Sequence, residues 1–176
     1  MPLDQLRLFQ DFSQASIDAI SGLRVSIENA DVAAALGMME RAETVYVIVQ
    51  RRSFAVASYV PYCLARLELK CVLLDFVGGM APQHAMTEKD LLFAVSFAPY
   101  TPEVMRSVKE VHNRDGPVLA VTDNERSPLA IHSALSFKVH DDSIRGFRPL
   151  SPSIVLVQSL VLALSCLKDR RRARKG

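Results

Sequence analysis

Residues that can bind an anion follow two of the predicted strands. Arg51, Arg52 and Ser53 follow the first predicted strand, and Thr101 follows the third. Guanidinium groups bind phosphate through paired hydrogen bonds, and a hydroxyl at a helix start lies beside free N–H groups that favour negative charge. These residue types predict a phosphorylated small molecule as the ligand. The alternative is that the hydroxyls are only helix caps and the arginines are solvated.

The sequence lacks the short motifs of several common active sites. No GxGxxG follows the first predicted strand, and neither GxxxxGK with Ser or Thr, nor GxSxG, nor HExxH occurs. We therefore expect no nucleotide cofactor, no bound metal and no serine nucleophile. His84 and Glu103 are the candidates for proton transfer beside a sugar carbonyl, and a surface histidine and a carboxylate at a helix start are the alternatives.

Five short apolar runs alternate with longer amphipathic stretches, and we interpret the runs as strands. They are Thr44–Val49, Cys71–Leu74, Leu91–Val95, Val118–Val121 and Leu135–Val139. The helices predicted between them are Phe54–Leu69, Glu103–Asn113 and a short one after Pro128. Alternation of strands and helices predicts an α/β fold, a doubly wound five-stranded parallel sheet in three αβα layers. Ligands of such sheets bind beyond the carboxyl ends of the strands.

Three hydroxyl–proline pairs predict helix starts with a hydroxyl N-cap: Thr101-Pro102, Ser127-Pro128 and Ser151-Pro152. Further helices are predicted to flank the sheet, at Leu3–Ile27 and Asp31–Arg41 before it and at Ser153–Lys168 after it. The apolar run Ile154–Leu164 is about half of the ~20 residues that a membrane span needs. We therefore expect a helix buried against the sheet or against a second subunit, and no membrane contact.

Composition favours one globular domain. The chain has 176 residues, of which 49% are hydrophobic and 23% charged. Three cysteines, an odd number with no CxxC pair, and an opening without a secretory signal predict reduced thiols in the cytoplasm. Residues 168–176 hold six cations and one carboxylate, so the remainder is mildly acidic and has no broad footprint for nucleic acid. This basic tail is predicted to be a solvated helix end, with an acidic partner as the alternative.

Two segments resemble the sugar isomerase (SIS) domain. Ser96-Phe-Ala-Pro-Tyr-Thr101 is similar to its S-x-S-G-x-T phosphate loop, and Thr122-Asp-Asn-Glu-Arg-Ser127-Pro-Leu-Ala130 to the segment after the next strand. Gln50-Arg-Arg-Ser53, with the Gly78-Gly79 loop, is most similar to RpiR-type bacterial transcription regulators. The likeness covers about residues 30–165 and implies a flavodoxin-like sheet.

The resemblance implies a phosphosugar site made by both loops. Its candidate residues are Arg51, Arg52, Ser53, Ser96, Ala98, Tyr100, Thr101 and Glu103. Ala98 and Pro99 depart from the family pattern of serine and glycine, which removes one hydroxyl and one backbone N–H from the cradle. The two arginines either replace these donors or fill the pocket.

The resemblance further implies a sensor domain, residues 30–167, between a helical arm, 1–29, and the basic tail, 168–176. We expect it to bind a sugar phosphate or related small acid, and to form a homodimer or a dimer of dimers, with Leu3, Leu6, Leu8, Phe9 and Phe12 in the dimer surface. DNA contact would come only from a helix-turn-helix domain outside these residues. One alternative is an aldose–ketose sugar-phosphate isomerase with Glu103 or His84 as base, and another is a dimerisation domain with a degenerate pocket.

Overall fold

A computed structural model describes residues 4–48, 50–76 and 82–174. Five parallel strands form one sheet in the order β2–β1–β3–β4–β5. They are β1 Val45–Ile48, β2 Cys71–Leu74, β3 Leu91–Val95, β4 Val118–Thr122 and β5 Leu135–Lys138. Every residue of β3 and β4 is buried, as expected of central strands covered on both faces. The predicted fold class is therefore confirmed. Val49 and the Gly78-Gly79 loop lie outside the described residues.

Seven α-helices in the described part of the chain cover the sheet. They are α1 Gln5–Ser26, α2 Asn29–Arg41, α3 Phe54–Ala57, α4 Tyr59–Arg66, α5 Pro102–His112, α6 Pro128–Ile131 and α7 Ser151–Ala173. Short 3₁₀ helices span Arg51–Ser53 and Pro82–Ala85. Alternate strand residues enter two cores, one under α1–α4 and α7, the other under α5 and α6. The molecule therefore has three αβα layers.

Predicted helix ends differ from the structure by a few residues, and two further predictions about helices are wrong. The stretch Phe54–Leu69 forms α3 and α4 with a break at Ser58, since Pro61 has no N–H for the bond that a continuous helix would make to Ala57. Ser151 is not an N-cap, because Leu150 holds that position and α7 begins at Ser151 itself. The Ser151 hydroxyl is buried without a hydrogen-bond partner in the described structure.

Helix α7 joins the core to the basic tail. By length and composition it alone, among helices of the described residues, could cross a membrane, yet residues along it lie in the domain core, including Leu156, Leu160 and Leu164. At its end Arg171 pairs with Glu40 at 2.6 Å and Arg172 with Glu68 at 2.7 Å. Lys168 donates to the Leu67 carbonyl. The tail is therefore not simply solvated, since three of its cations contact the domain itself.

Candidate functional site

A cleft of about 190 Å³ opens beyond the carboxyl ends of β1 and β3. The chain leaves β1 toward β2 on one side, while β3 lies on the other, so this is the point where the strand order reverses and where ligands of doubly wound sheets bind. Its lining residues are Gln50, Arg51, Arg52, Ser53, Ser96, Phe97, Ala98, Pro99 and Thr101. Six of the eight predicted site residues are thus brought together in one cleft.

The two arginines after β1 occupy different environments. Arg51 is exposed and has a φ of +55°, a left-handed conformation that glycine adopts more easily. Arg52 is half-buried, with its Cζ 5.3 Å from the centre of the Phe97 ring. Its Nη2 atom is buried and donates no hydrogen bond within the described structure. Arg52 is therefore positioned by stacking and retains a free donor.

Three hydroxyl-bearing residues of the cleft wall are largely buried: Ser53, Ser96 and Thr101 have relative exposures of 4%, 4% and 6%. Ser53 and Thr101 hold the N-cap positions of α3 and α5, as predicted, but neither side chain accepts a hydrogen bond from its helix. A hydroxyl at such a position normally satisfies one of the free N–H groups of the first turn. The helix-cap alternative therefore does not describe these two hydroxyls, which can serve a ligand.

The loop after β3 is closed by a carboxylate from the end of β4. Asp123 accepts hydrogen bonds from the Ala98 N–H at 3.0 Å and from the Tyr100 hydroxyl at 2.6 Å. Burial by itself raises the pKa of Asp123, but the hydrogen bonds from Tyr100, Ala98 and Thr122 outweigh it and hold that pKa below its usual value. Tyr100 thus stabilises the loop instead of lining the cleft. The Ala98 N–H is likewise already in use.

Two further charged residues adjoin the site from the segment between β5 and α7. Arg148 places its Nη1 atom 3.4 Å from Asp141 Oδ1 and 3.8 Å from Asp123 Oδ2. Burial lowers the pKa of Arg52, nearby Arg148 lowers it further, and Asp141 and Asp123 oppose both effects. Burial raises the pKa of Asp141 despite its two arginine neighbours. Sequence reasoning missed Asp141 and Arg148, although both follow the carboxyl end of β5, where the strand-end rule also applies.

The predicted acid/base pair is not assembled. Glu103 is exposed in the first turn of α5 and is not among the cleft residues. His84 lies on the 3₁₀ helix Pro82–Ala85, and its Nδ1 is 3.9 Å from Glu110 Oε2. Glu110 is seven residues beyond Glu103, about 10 Å along α5. No proton-transfer pair of these two residues faces the cleft.

A larger cleft of about 500 Å³ lies between α1 and the segment after β5. Four carboxylates line it, from Asp11, Asp18, Asp141 and Asp142. This charge disfavours an anionic ligand, so the smaller cleft beyond β1 and β3 is the better anion site.

The sequence matches one protein-family model over residues 38–165, that of the SIS domain. The chain belongs to the SIS domain family. No curated protein matches it in sequence.

Solved structures share the SIS fold along almost the whole chain. The sugar isomerase domain of an RpiR transcription factor from Sphaerobacter thermophilus superimposes with a TM-score of 0.84 at 19% identity, over 97% of this chain and 99% of that one. The Vibrio vulnificus NanR protein complexed with ManNAc-6P gives 0.79 at 24% identity, over 96% of this chain and 65% of its own. A ligand complex of an Escherichia coli CFT073 protein gives 0.76 at 18%, over 96% and 94%.

Proposed function

We propose that this SIS domain is the phosphosugar sensor of an RpiR-type bacterial transcription regulator and that its ligand binds in the β1/β3 cleft. The similar structures include an RpiR transcription factor domain and NanR, and NanR is complexed with ManNAc-6P. A sensor needs a site for its effector but no catalytic pair. The separation of His84 from Glu103 supports this function over isomerisation.

The observation that carries the proposal is a set of unused donors on residues that line the cleft. The hydroxyls of Ser53 and Thr101 do not cap their helices, and Arg52 Nη2 is buried without an acceptor in the described structure. Leaving a buried donor unsatisfied costs about 1–3 kcal/mol, and more for a charged group. A phosphate offers acceptors on three oxygens and charge to match a guanidinium, so binding it would remove this cost.

The proposed assembly is a homodimer, or a dimer of dimers, formed through α1. Leu6, Phe9 and Ile17 are exposed at 66%, 71% and 55%, and helical spacing places them on one side of α1. Exposed large apolar residues at helical spacing are typical of a surface that a partner covers. We further propose that residues 1–29 act as an arm, that residues 30–167 bind the ligand and that the protein works in the cytoplasm.

The first test is calorimetric titration of the wild-type domain with hexose 6-phosphates, pentose 5-phosphates, the matching free sugars and inorganic phosphate. We expect binding of one or more phosphorylated sugars and none of the free sugars. Any binder should also raise the melting temperature, because it stabilises only the folded state.

The matched variants are Arg52→Gln and Arg66→Gln. Both remove one arginine charge, but Arg66 is exposed on α4 and is not part of the cleft. We expect a loss of affinity of about ten-fold or more for the first variant, as for a charge-assisted hydrogen bond, and no change for the second. Wild-type protein that binds no phosphorylated sugar would contradict the proposal, and turnover of a bound aldose phosphate would favour the isomerase.

A further inference from the structure

Arg148 is held loosely beside the cleft. Its side chain is 27% exposed, and its two carboxylate contacts, at 3.4 and 3.8 Å, are longer than the ~2.8 Å of a charge-assisted hydrogen bond. It contrasts with Arg171 and Arg172, whose contacts to glutamates measure 2.6 and 2.7 Å. Arg148 therefore has donor capacity that its own surroundings do not use.

The carboxylates beside Arg148 do not use all the donors of Arg52 and Arg148. Asp123 already accepts from the Ala98 N–H and the Tyr100 hydroxyl, and its nearest contact to Arg148 is the longer one. Asp141 Oδ1 is buried without a hydrogen bond in the described structure, although Arg148 Nη1 is 3.4 Å away. Arg52 Nη2 has no acceptor at all there. An added anion can satisfy the free donors of the two arginines, namely Arg52 Nη2 and the weakly paired Arg148 guanidinium, although Asp141 opposes it by charge.

We propose that Arg148 is the second cation of the ligand site and that it binds, together with Arg52, the anionic group of the ligand. This inference rests on the proposed function and names a ligand residue outside both recognised loops. Ala98 lines the cleft, and the Asp123 carboxylate that accepts from its N–H also contacts Arg148. The guanidinium is therefore one side chain away from the cleft wall.

The arginine pair also explains how the site can work without the family's serine and glycine. Ala98 and Pro99 supply no hydroxyl and no second N–H, and the remaining N–H of Ala98 is occupied by Asp123. Two guanidiniums supply charge in place of these neutral donors. Cationic groups attract a dianion more strongly than a monoanion. The site should therefore prefer a dianionic phosphate ester to a monoanionic sulfate ester of the same sugar.

The test compares Arg148→Gln with Arg145→Gln, an exposed arginine of the same segment. Each variant and the wild type are titrated with the tightest-binding sugar 6-phosphate or 5-phosphate, with the corresponding sugar sulfate and with inorganic phosphate. We expect Arg148→Gln to weaken phosphate-ester binding about ten- to hundred-fold and sulfate-ester binding less. Arg148→Lys, which keeps the charge, should retain part of the preference, and Arg145→Gln should behave as wild type.

The outcomes separate the two proposals. If the wild type binds a sugar phosphate and Arg148→Gln binds it within two-fold, the role of Arg148 is overturned while the sensor function stands. If the variant loses phosphate and sulfate esters by the same factor, Arg148 only positions Asp123 and the loop, which also overturns the inference. If the wild type binds no phosphorylated compound, both proposals fail. Melting temperatures of all variants check that each one is folded.

Discussion

The segments after β3 and after β4 share a hydroxyl–proline pair, but the two hydroxyls have different roles. Each ends in a hydroxyl–proline pair at an extended residue, Thr101 before α5 and Ser127 before α6. Ser127 Oγ accepts from the Ala130 N–H at 3.0 Å and lies 3.0 Å from the Thr122 hydroxyl. Thr101 makes no such cap. One hydroxyl stabilises its own helix start, and the other faces a cleft.

The difference follows from the helices that the two segments begin. Helix α6 is a single turn of four residues with few hydrogen bonds of its own, so its cap is a large part of what holds it. Helix α5 has 11 residues and is held by Val104, Val108 and Val111, which are buried in the core. It can form without a hydroxyl cap, because tertiary packing of an apolar face supplies most helix stability. The hydroxyl before α5 is therefore free for a ligand, and the one before α6 is not.

Removing the Asp123 carboxylate, which links the two segments, should have the largest effect on the free energy of unfolding. Asp123→Ala leaves the Tyr100 hydroxyl and the Ala98 N–H without their acceptor, and we expect about 2–3 kcal/mol of lost unfolding free energy in urea. The folded pKa of Asp123 is lowered from 3.8, so its contribution is present above that pH and is lost as pH falls through the folded value. The variant should therefore lose less stability in acid than the wild type, and equal acid sensitivity would show that this link contributes little.

The two hydroxyls, of Ser127 and Thr101, should differ in their contribution to the free energy of unfolding. Ser127→Ala removes a cap and leaves the buried Thr122 hydroxyl without this partner, which should cost about 1–2 kcal/mol. Thr101→Val keeps the shape and removes a hydroxyl that caps nothing, so we expect a change below about 0.5 kcal/mol. Urea unfolding of the two variants measures both values. Equal costs would mean that Thr101 is as structural as Ser127.

In ligand binding the order should be reversed, because loss of the Thr101 hydroxyl should weaken affinity more than loss of the Ser127 hydroxyl. Thr101→Val, alone or with Ser53→Ala, should weaken the best sugar phosphate by about ten-fold per hydroxyl, since each loses a hydrogen bond to a charged group. Ser127→Ala, in which the hydroxyl lost does not line the cleft, should bind within about two-fold of wild type at a temperature where it is folded. Calorimetric titration distinguishes the variants. Unchanged affinity in the double variant would remove these hydroxyls from the site.

A smaller effect should come from the carboxylate that competes with the ligand. Asp141→Asn removes a negative charge that lies 3.4 Å from Arg148 and close enough to Arg52 to act on its pKa. A ligand phosphate would then meet less repulsion, so we expect its affinity to rise about two- to five-fold, as for a partly screened charge. Asp142→Asn, its exposed neighbour in sequence, is the control. A fall in affinity for Asp141→Asn would instead indicate that Asp141 binds the ligand directly.

The sheet could be predicted from sequence because its signal is local. Runs such as Leu91–Val95 and Val118–Val121 are apolar, short and bounded by polar turns, which identifies buried strands without knowledge of their partners. The strand-end rule then placed Arg52, Ser53 and Thr101 at the ligand-binding edge of the sheet, which required only the order of strands and helices along the chain. The resemblance to the SIS domain added Ser96 and joined the two loops into one site.

The contacts that set the charge of the site could not be predicted in this way. Asp123 and Ala98 are 25 residues apart, and their hydrogen bond depends on how two loops approach each other. Arg148 lies in a segment between β5 and α7 without helical or strand periodicity, so no pattern assigns it a direction. Whether a hydroxyl before proline caps its helix is likewise decided by side-chain geometry. The sequence signatures of Thr101 and Ser127 are the same in this respect.

The smallest effect is expected at the C-terminal end of α6, the helix that Ser127 caps. His132 is the C-cap of α6, its ring centre is 5.0 Å from that of His112, and its Nδ1 is buried without a described partner. Burial lowers the pKa of His132 below 6.5, and His112 and Lys109 lower it further. A depressed pKa means that the unfolded chain takes up the proton first, so stability is full above pH 6.5 and declines as pH falls toward the folded value.

His132→Gln should therefore reduce the difference in unfolding free energy between pH 7.5 and pH 5 by about 0.5 kcal/mol, and the exposed His140→Gln is the comparison variant. Urea unfolding at the two pH values measures this difference. Since neither histidine lines the β1/β3 cleft, sugar-phosphate affinity at pH 7.5 should be the same in both variants. A change in affinity there would mean that the segments after β3 and β4 are coupled through α6 as well as through Asp123.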